Sequence, residues 1–242
     1  MIGVKNGMSM KRTRIACTVV PLALLALFIA ACGEDPETTV PRPGPSAVGG
    51  FTFFDIGKEI PIDTSRRNSL EKILGDAAVE RRGIVNLEMN HKTFLQDHFP
   101  DLDSMNRQLN SEIGLRVKHR IVRLMYRYAK AKGLPYDLVE IIFSEETSRP
   151  LLIRLQFKTG ETEALKALEK KYGRPRILEW GRDNAKTRVW QNEGDYLFYS
   201  VVPKRGNKVE YWIAIYFTAA IEALIQSEKT GPDANTSGKT GF

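Results

Sequence analysis

The chain has 242 residues, 42% of them hydrophobic and 27% charged, with 36 Lys and Arg against 29 Asp and Glu for a net charge of +7. Lys5, Lys11, Arg12 and Arg14 precede Cys32 with no acid among them, which leaves 32 cations against 29 acids from Cys32 onward, a net charge of about +3. That is ordinary globular stock and too mild an excess to argue for nucleic acid, and neither G-x-x-x-x-G-K-[ST] nor G-x-G-x-x-G occurs to cradle a nucleotide phosphate.

Taken in order, Lys11, Arg12 and Arg14 lead into an unbroken apolar run from Leu22 to Ala31, and small residues stand just before Cys32. A charged start, a short apolar stretch and small residues at the cut are the parts of a secretory signal, since the peptidase must hold extended backbone there. The wider run from Ile15 is interrupted by Thr18 and Pro21 and is short for a span of ~20 apolar residues. The tetrapeptide Ile29-Ala30-Ala31-Cys32 resembles the lipobox of bacterial lipoproteins. That resemblance implies an acylated Cys32 as the first residue of the mature chain, lipid-anchored on the periplasmic side of a cell membrane. Gly33 in place of aspartate implies the outer membrane in a Gram-negative host. Export also removes nucleic acid and ATP as partners. Cys17 lies within the segment to be removed, so the mature chain has no disulfide framework, no cysteine metal site and no cysteine nucleophile.

Five stretches follow: a signal peptide at 1–31, the acylated Cys32 with a Pro-rich tether at 32–50, two α+β halves at 51–157 and 158–226, and a disordered tail at 227–242. The expected fold class is α+β, antiparallel meander sheet packed with a few helices. A hairpin is predicted at Leu138–Ser144 and Leu151–Phe157. The clearest helix is Glu161–Tyr172, with Ala164, Leu165, Leu168 and Tyr172 on one side and Gly173 and Pro175 as stops. Strand-like runs follow at Arg176–Trp180, Arg188–Trp190, Tyr196–Val202 and Val209–Phe217, then a last helix at Ala219–Ile225. Leu70-Glu-Lys-Ile-Leu-Gly75 echoes Leu168-Glu-Lys-Lys-Tyr-Gly173, which suggests two helix-then-strands repeats.

The segment Arg116–Lys132 reads two ways. A helix gathers Arg116, Arg120, Arg123, Arg127 and Lys130 into one positive ridge, a candidate anion-binding patch for lipid phosphates, lipopolysaccharide or an acidic protein face. A strand scatters the same cations over two faces. Template matching favours the helix slightly.

Three other groupings bear on chemistry. Ser69-Leu-Glu-Lys72, Ser104-Met-Asn106 and Lys158-Thr-Gly160 follow the order of penicillin-interacting enzymes, an alternative in which Ser69 is the nucleophile and Lys72 its activator. Lys-Thr-Gly recurs at Lys229 and Lys239, which lowers its value as a signal. His91, Asp97, His98, Asp101 and Asp103 offer imidazole and carboxylate for zinc or a small-ligand sensor, at a spacing that matches no compact motif. Trp180, Trp190, Trp212 and the tyrosines around them read as sheet core. No catalytic residue, metal ligand or cofactor is assigned. The expected partners are membrane lipid through Cys32 and another envelope protein or anionic envelope component. The expected role is a non-enzymatic binding or assembly-accessory domain, loosely similar in architecture to the small accessory lipoproteins of outer-membrane assembly.

Overall fold

The computed structural model describes residues 50–89, 93–110, 117–157, 162–181, 184–206 and 208–230. The described residues begin with a hairpin, β1 (Thr52–Phe53) and β2 (Ile56–Gly57), closed by Phe54 and Asp55. Helix α1 (Thr64–Leu74) follows, capped by Asp63, whose carboxylate accepts from the Arg66 amide at 2.8 Å. Gly75 ends it at φ 89°, a conformation that costs a side-chain-bearing residue but not glycine, and its N–H donates to the Glu71 carbonyl.

Next come β3 (Ala78–Arg81), α2 (Phe94–His98), α3 (Pro100–Leu109), β4 (Ile121–Tyr126), a 3-10 turn (Ala129–Lys132), β5 (Tyr136–Ser144) and β6 (Pro150–Phe157). The chain continues through α4 (Thr162–Tyr172), β7 (Arg176–Trp180), β8 (Ala185–Asn192), β9 (Asp195–Lys204), β10 (Lys208–Tyr216) and α5 (Thr218–Thr230). Strands β3 to β10 make one eight-stranded sheet in the order β3-β4-β5-β6-β10-β9-β8-β7, antiparallel at every step. The fold is α+β, as the patterning predicts.

Its plan is a duplication. Each half is an 11-residue helix followed by a four-strand meander, α1 then β3–β6 and α4 then β7–β10. Thr64 and Thr162, Leu70 and Leu168, Gly75 and Gly173, Ala78 and Arg176 all stand at one separation, so the echo in the sequence marks a structural repeat. The halves meet where β6 pairs antiparallel with β10, each the last strand of its meander, which relates them by a local two-fold axis normal to the sheet. They share one sheet and both cores. The first half differs by an insertion at 82–120, carrying α2 and α3, where the second half passes from β7 to β8 through 181–184.

Alternation along the strands supplies a core on each face. Val122, Leu124, Tyr126, Ile141, Ile153 and Ile215 point to one face, under α1, α4 and the β1–β2 hairpin. Ile121, Ile142, Leu152, Phe198, Ala214 and Tyr216 point to the other, under α2, α3 and α5. Trp190 is buried on the first face and Phe198 centres an aromatic cluster on the second, as expected, whereas Trp180 and Trp212 are half-buried and Trp212 joins neither core.

Two expectations are corrected. The segment around Arg116–Lys132 is not a helix: residues 121–126 are β4, paired with β5 from Ile121↔Ser144 to Tyr126↔Val139, and only Ala129–Lys132 coils. Of the apolar residues that suit a helical stripe, Leu124 joins one core and Ile121 the other while Val117 and Tyr128 are exposed, and burial on both faces of β4 overrides the period. The last helix continues to Thr230, past the predicted end of the domain at 226. Residues 231–242, expected as a tail, and the whole of 1–49 lie outside the described residues.

Candidate functional site

The sequence-derived candidates do not converge. Cys32 and Arg116 lie outside the described residues, and Lys130 falls in the 3-10 turn. Arg120, Arg123 and Arg127 belong to or flank a strand, so the ridge that needs a helix does not form. Arg123 is largely buried and salt-bridged to Glu80 at 2.8 Å and to Glu140 at 3.1 Å.

Ser69 is exposed on α1 and donates to its own helix at the Ser65 carbonyl, 3.0 Å away. Asn106 lies on α3 across the sheet and accepts from the Leu87 amide at 2.8 Å. The two cannot share a site, and Lys158-Thr-Gly160 lies outside the described residues. His91 is also outside them. Asp101 and Asp103 occupy the first turn of α3, which Pro100 opens rather than breaks, and Asp103 pairs with Arg107 at 2.6 Å. Among the described residues no three His, Cys, Asp or Glu side chains converge on a point that suits a metal. His119 is buried between the Leu109 carbonyl at 2.7 Å and Glu228 at 2.6 Å, tying α3, β4 and α5 together.

Charged and polar groups that the sequence does not single out hold a strap instead. Residues 84–88 cross the second face with no ladder partner, yet each of their carbonyls accepts from a side chain. Arg123 donates to Ile84, Asn110 to Val85 at 3.1 Å, Arg154 to Asn86 and to Glu88 at 3.2 Å, and Tyr216 to Leu87 at 2.9 Å. Glu140 sits between the two guanidinium groups, 3.1 Å from Arg123 and 3.3 Å from Arg154. Burial pushes the Tyr216 hydroxyl up to about 12, so it remains a donor at neutral pH. The strap carries the chain to α2, where Phe94 packs on Phe198 and Trp180. These groups build the fold, and what opens on this face among the described residues is a cleft of about 340 Å³ between α3 and α5.

The open chemistry lies at one end of the sheet, here termed basal. Strand register sets it: Lys186, Val201, Tyr211, Phe157 and Tyr136 lie in one row across β8, β9, β10, β6 and β5. Just beyond that row are the β4–β5 connection with Arg127 and Lys132 and the β9–β10 hairpin with Lys204, Arg205 and Lys208, all exposed. The row from β4 to β8 is about 24 Å wide at ~4.8 Å per strand. Lys204 pairs with Glu210 at 3.3 Å and Lys186 with Glu179 at 2.8 Å. Arg127, Lys132, Arg205 and Lys208 make no ion pair among the described residues.

Exposed apolar groups sit among these cations. Tyr128 is 64% exposed, Ile73 40% and Phe54 38%. The last turn of α1 reaches the β4–β5 connection, since a Cβ at Gly75 would lie 3.5 Å from the Tyr128 Cβ and 3.6 Å from the Lys132 Cε. Phe54 and Ile73 line one cleft of about 440 Å³ with Asp55, Ser69 and the ion pair of Arg66 with Asp63. Phe53 stacks edge-on against Tyr136, and Tyr136 against Phe157, which borders a second cleft with Lys204, Lys208 and Val209. Phe54 has φ 45° and Asp55 φ 62°, the left-handed pair that a two-residue hairpin turn requires and that Asn-Gly suits far better. A bulky apolar residue is thus held strained and exposed at the tip.

The sequence shows the turn Pro203-Lys204-Arg205-Gly206 but not what stands beside it; that depends on the β6–β10 pairing of the two halves. Comparison with family models, with curated proteins and with solved structures found no match for this chain.

Proposed function

We propose that the protein is a lipid-anchored domain of the cell envelope, held by an acylated Cys32, and that its role is binding rather than catalysis. The observation that carries the binding role is the basal end of the sheet, where Arg127, Lys132, Arg205 and Lys208, without an ion pair among the described residues, share an edge with the exposed Tyr128 and Ile73. The anchor rests on the leader that ends in Ile29-Ala30-Ala31-Cys32. The two features meet in the chain, because the hairpin carrying Phe54 is the first structure after residues 33–50. No nucleic acid and no cofactor enter this reading.

The test is metabolic labelling with a palmitate analogue in cells expressing the full-length protein or its Cys32→Ser variant. Label and membrane retention in the native chain, and loss of both in the variant, are expected. A native chain that takes no label, or a variant that keeps it, refutes the anchor. Crosslinking of the labelled cells then identifies any envelope protein that the anchored form touches.

A further inference from the structure

We propose that the basal end of the sheet docks on the anionic surface of a lipid bilayer, with phospholipid phosphates against Arg127, Lys132, Arg205 and Lys208 and with Phe54, Ile73 and Tyr128 entering the interface. The inference deepens the anchored reading and rests on it for the presence of a membrane nearby.

Charge is the first support. Four separate segments deliver the cations to one end: the last turn of α1 with Lys72, the β4–β5 connection, the start of β8 and the β9–β10 hairpin. At the opposite end the turn acids are matched by cations, Glu145 with Arg81 at 3.4 Å, Glu193 with Lys58 at 3.5 Å and Glu59 with Arg149 at 3.4 Å. At the basal end Lys204 and Lys186 are matched, by Glu210 and Glu179, but Arg127, Lys132, Arg205 and Lys208 make no ion pair among the described residues, and a surface bearing excess charge of one sign recognises a surface of the other.

Apolar placement is the second. A cationic cluster alone suits any polyanion. Tyr128, 64% exposed, lies between Arg127 and Lys132 in the chain, Ile73, 40% exposed, follows Lys72, and Phe54, 38% exposed, shares a cleft with Ile73; exposed aromatic and aliphatic groups next to cations suit the boundary between headgroups and acyl chains. Phe54 keeps its exposure at the expense of a strained backbone, and such strain marks positions where function opposes stability.

Chain length is the third. Residues 33–50 separate Cys32 from Phe51 and reach at most roughly 60 Å when fully extended. A domain confined to that distance meets the bilayer at an effective concentration near the millimolar range, so weak headgroup contacts suffice to hold it. Electrostatic contacts alone are short-ranged, with a screening length of ~10 Å at 0.1 M salt. The cations must therefore lie at the contact itself, where the basal end places them.

The test uses the chain from residue 32 onward with Cys32→Ser, which removes the lipid and leaves the surface. Flotation is measured with vesicles of phosphatidylglycerol and phosphatidylethanolamine, and with vesicles of phosphatidylcholine alone. Binding to the anionic vesicles only, weakening as salt rises, is expected. Lys204→Glu, Arg205→Glu and Lys208→Glu together are expected to weaken it at least about 100-fold, since each cation lost near an anionic membrane is worth roughly a factor of five. Phe54→Ser with Tyr128→Ser is expected to weaken it about tenfold. Both variants alter exposed side chains, and an unchanged urea midpoint verifies their fold.

Equal flotation with both vesicle types, or a triple variant that floats like the native chain, overturns the proposal. So does absence of flotation, and crosslinks from Lys204 or Lys208 to an acidic protein in cells then assign the surface to that protein. Palmitate labelling at Cys32 without vesicle binding sinks this inference and leaves the anchor standing; vesicle binding without labelling does the reverse.

Discussion

Arg154→Met tests whether the strap at 84–88 is held by the side chains beneath it. The native guanidinium pairs with Glu140 at 3.3 Å and donates to the carbonyls of Asn86 and Glu88. Methionine keeps much of the stem's volume and removes every donor. Asn86 is exposed, so water replaces its donor at little cost. Glu88 is half-buried, and a part-buried acceptor left without a donor costs about 1–2 kcal/mol. Glu140 keeps Arg123 at 3.1 Å and is not stranded, which holds the lost ion pair to about 1 kcal/mol. The sum is about 2–3 kcal/mol. In urea, with a slope near 2 kcal/mol per M, the midpoint falls by about 1 M. If the strap opens ahead of the rest, exchange of the Leu87 amide, which Asn106 normally holds at 2.8 Å, rises about 100-fold. Tyr216→Phe removes the donor to the Leu87 carbonyl, and combining the two is expected to cost less than their sum because one detached strap loses both contacts. A midpoint within ~0.3 M of native together with native exchange at Leu87 refutes the idea that these guanidinium contacts hold the strap.

Asp195 gives a pH-dependent case. Burial raises its carboxyl above the usual range, while the Thr218 amide and hydroxyl, donating at 2.9 and 3.2 Å, pull it down. The native state therefore holds this proton more tightly than the unfolded chain. That stability is full below the unfolded value near pH ~3.9 and is lost as pH rises through the raised folded value. Asp195→Asn keeps the Oδ1 acceptor at the start of α5 and removes the charge, so its urea midpoint is expected to match or exceed native at pH 7, with any advantage gone near pH 3. A midpoint at pH 7 lower by more than ~0.5 M means that attraction to the helix terminus outweighs burial. At the hairpin tip, Phe54→Asn with Asp55→Gly relieves two left-handed residues and is expected to stabilise the fold by about 1–2 kcal/mol while weakening vesicle flotation. A variant that loses stability removes the case for strain at Phe54.

Local chemistry made much of this fold legible. Gly173 and Pro175 stop α4 where the sequence says, and β7 runs from Arg176 to Trp180 as its bounded apolar pattern predicts. The repeat was legible from six residues around Leu70 and Leu168 because helix ends carry strong signals. What failed is what two-sided burial hides. Arg123 and Arg154 look like surface cations in a linear reading, and only the strap and Glu140 explain why they are buried. The strap itself has no period, since its partners are side chains from four elements rather than a neighbouring strand. The basal cations were visible one by one, but Arg127 shares an edge of the sheet with Lys204 and Arg205, about four strand spacings away, only because β6 pairs with β10.

The duplication also sharpens the argument about charge. The local two-fold axis exchanges the β4–β5 connection with the β8–β9 turn, and the β9–β10 hairpin with the β5–β6 turn. Arg127 and Lys132 at the basal end thus correspond to Glu193 at the far end, where Asp195 is buried against Thr218 as the first residue of β9. Lys204, Arg205 and Lys208 correspond to Glu145 and Glu146, with Arg149 their one cation. Both pairs of equivalent turns carry opposite signs. Stability does not require that, because isolated charges at exposed turns contribute less than ~1 kcal/mol wherever they stand. The proposed docking on an anionic plane accounts for it: each basal cation adds attraction, and the far end, whose turn acids are matched by cations, adds none. A domain with matched turns would tumble at the surface with no preferred face. If the basal end docks as proposed, the sign difference gives the domain one orientation, with Tyr128 and Ile73 on the side of the bilayer.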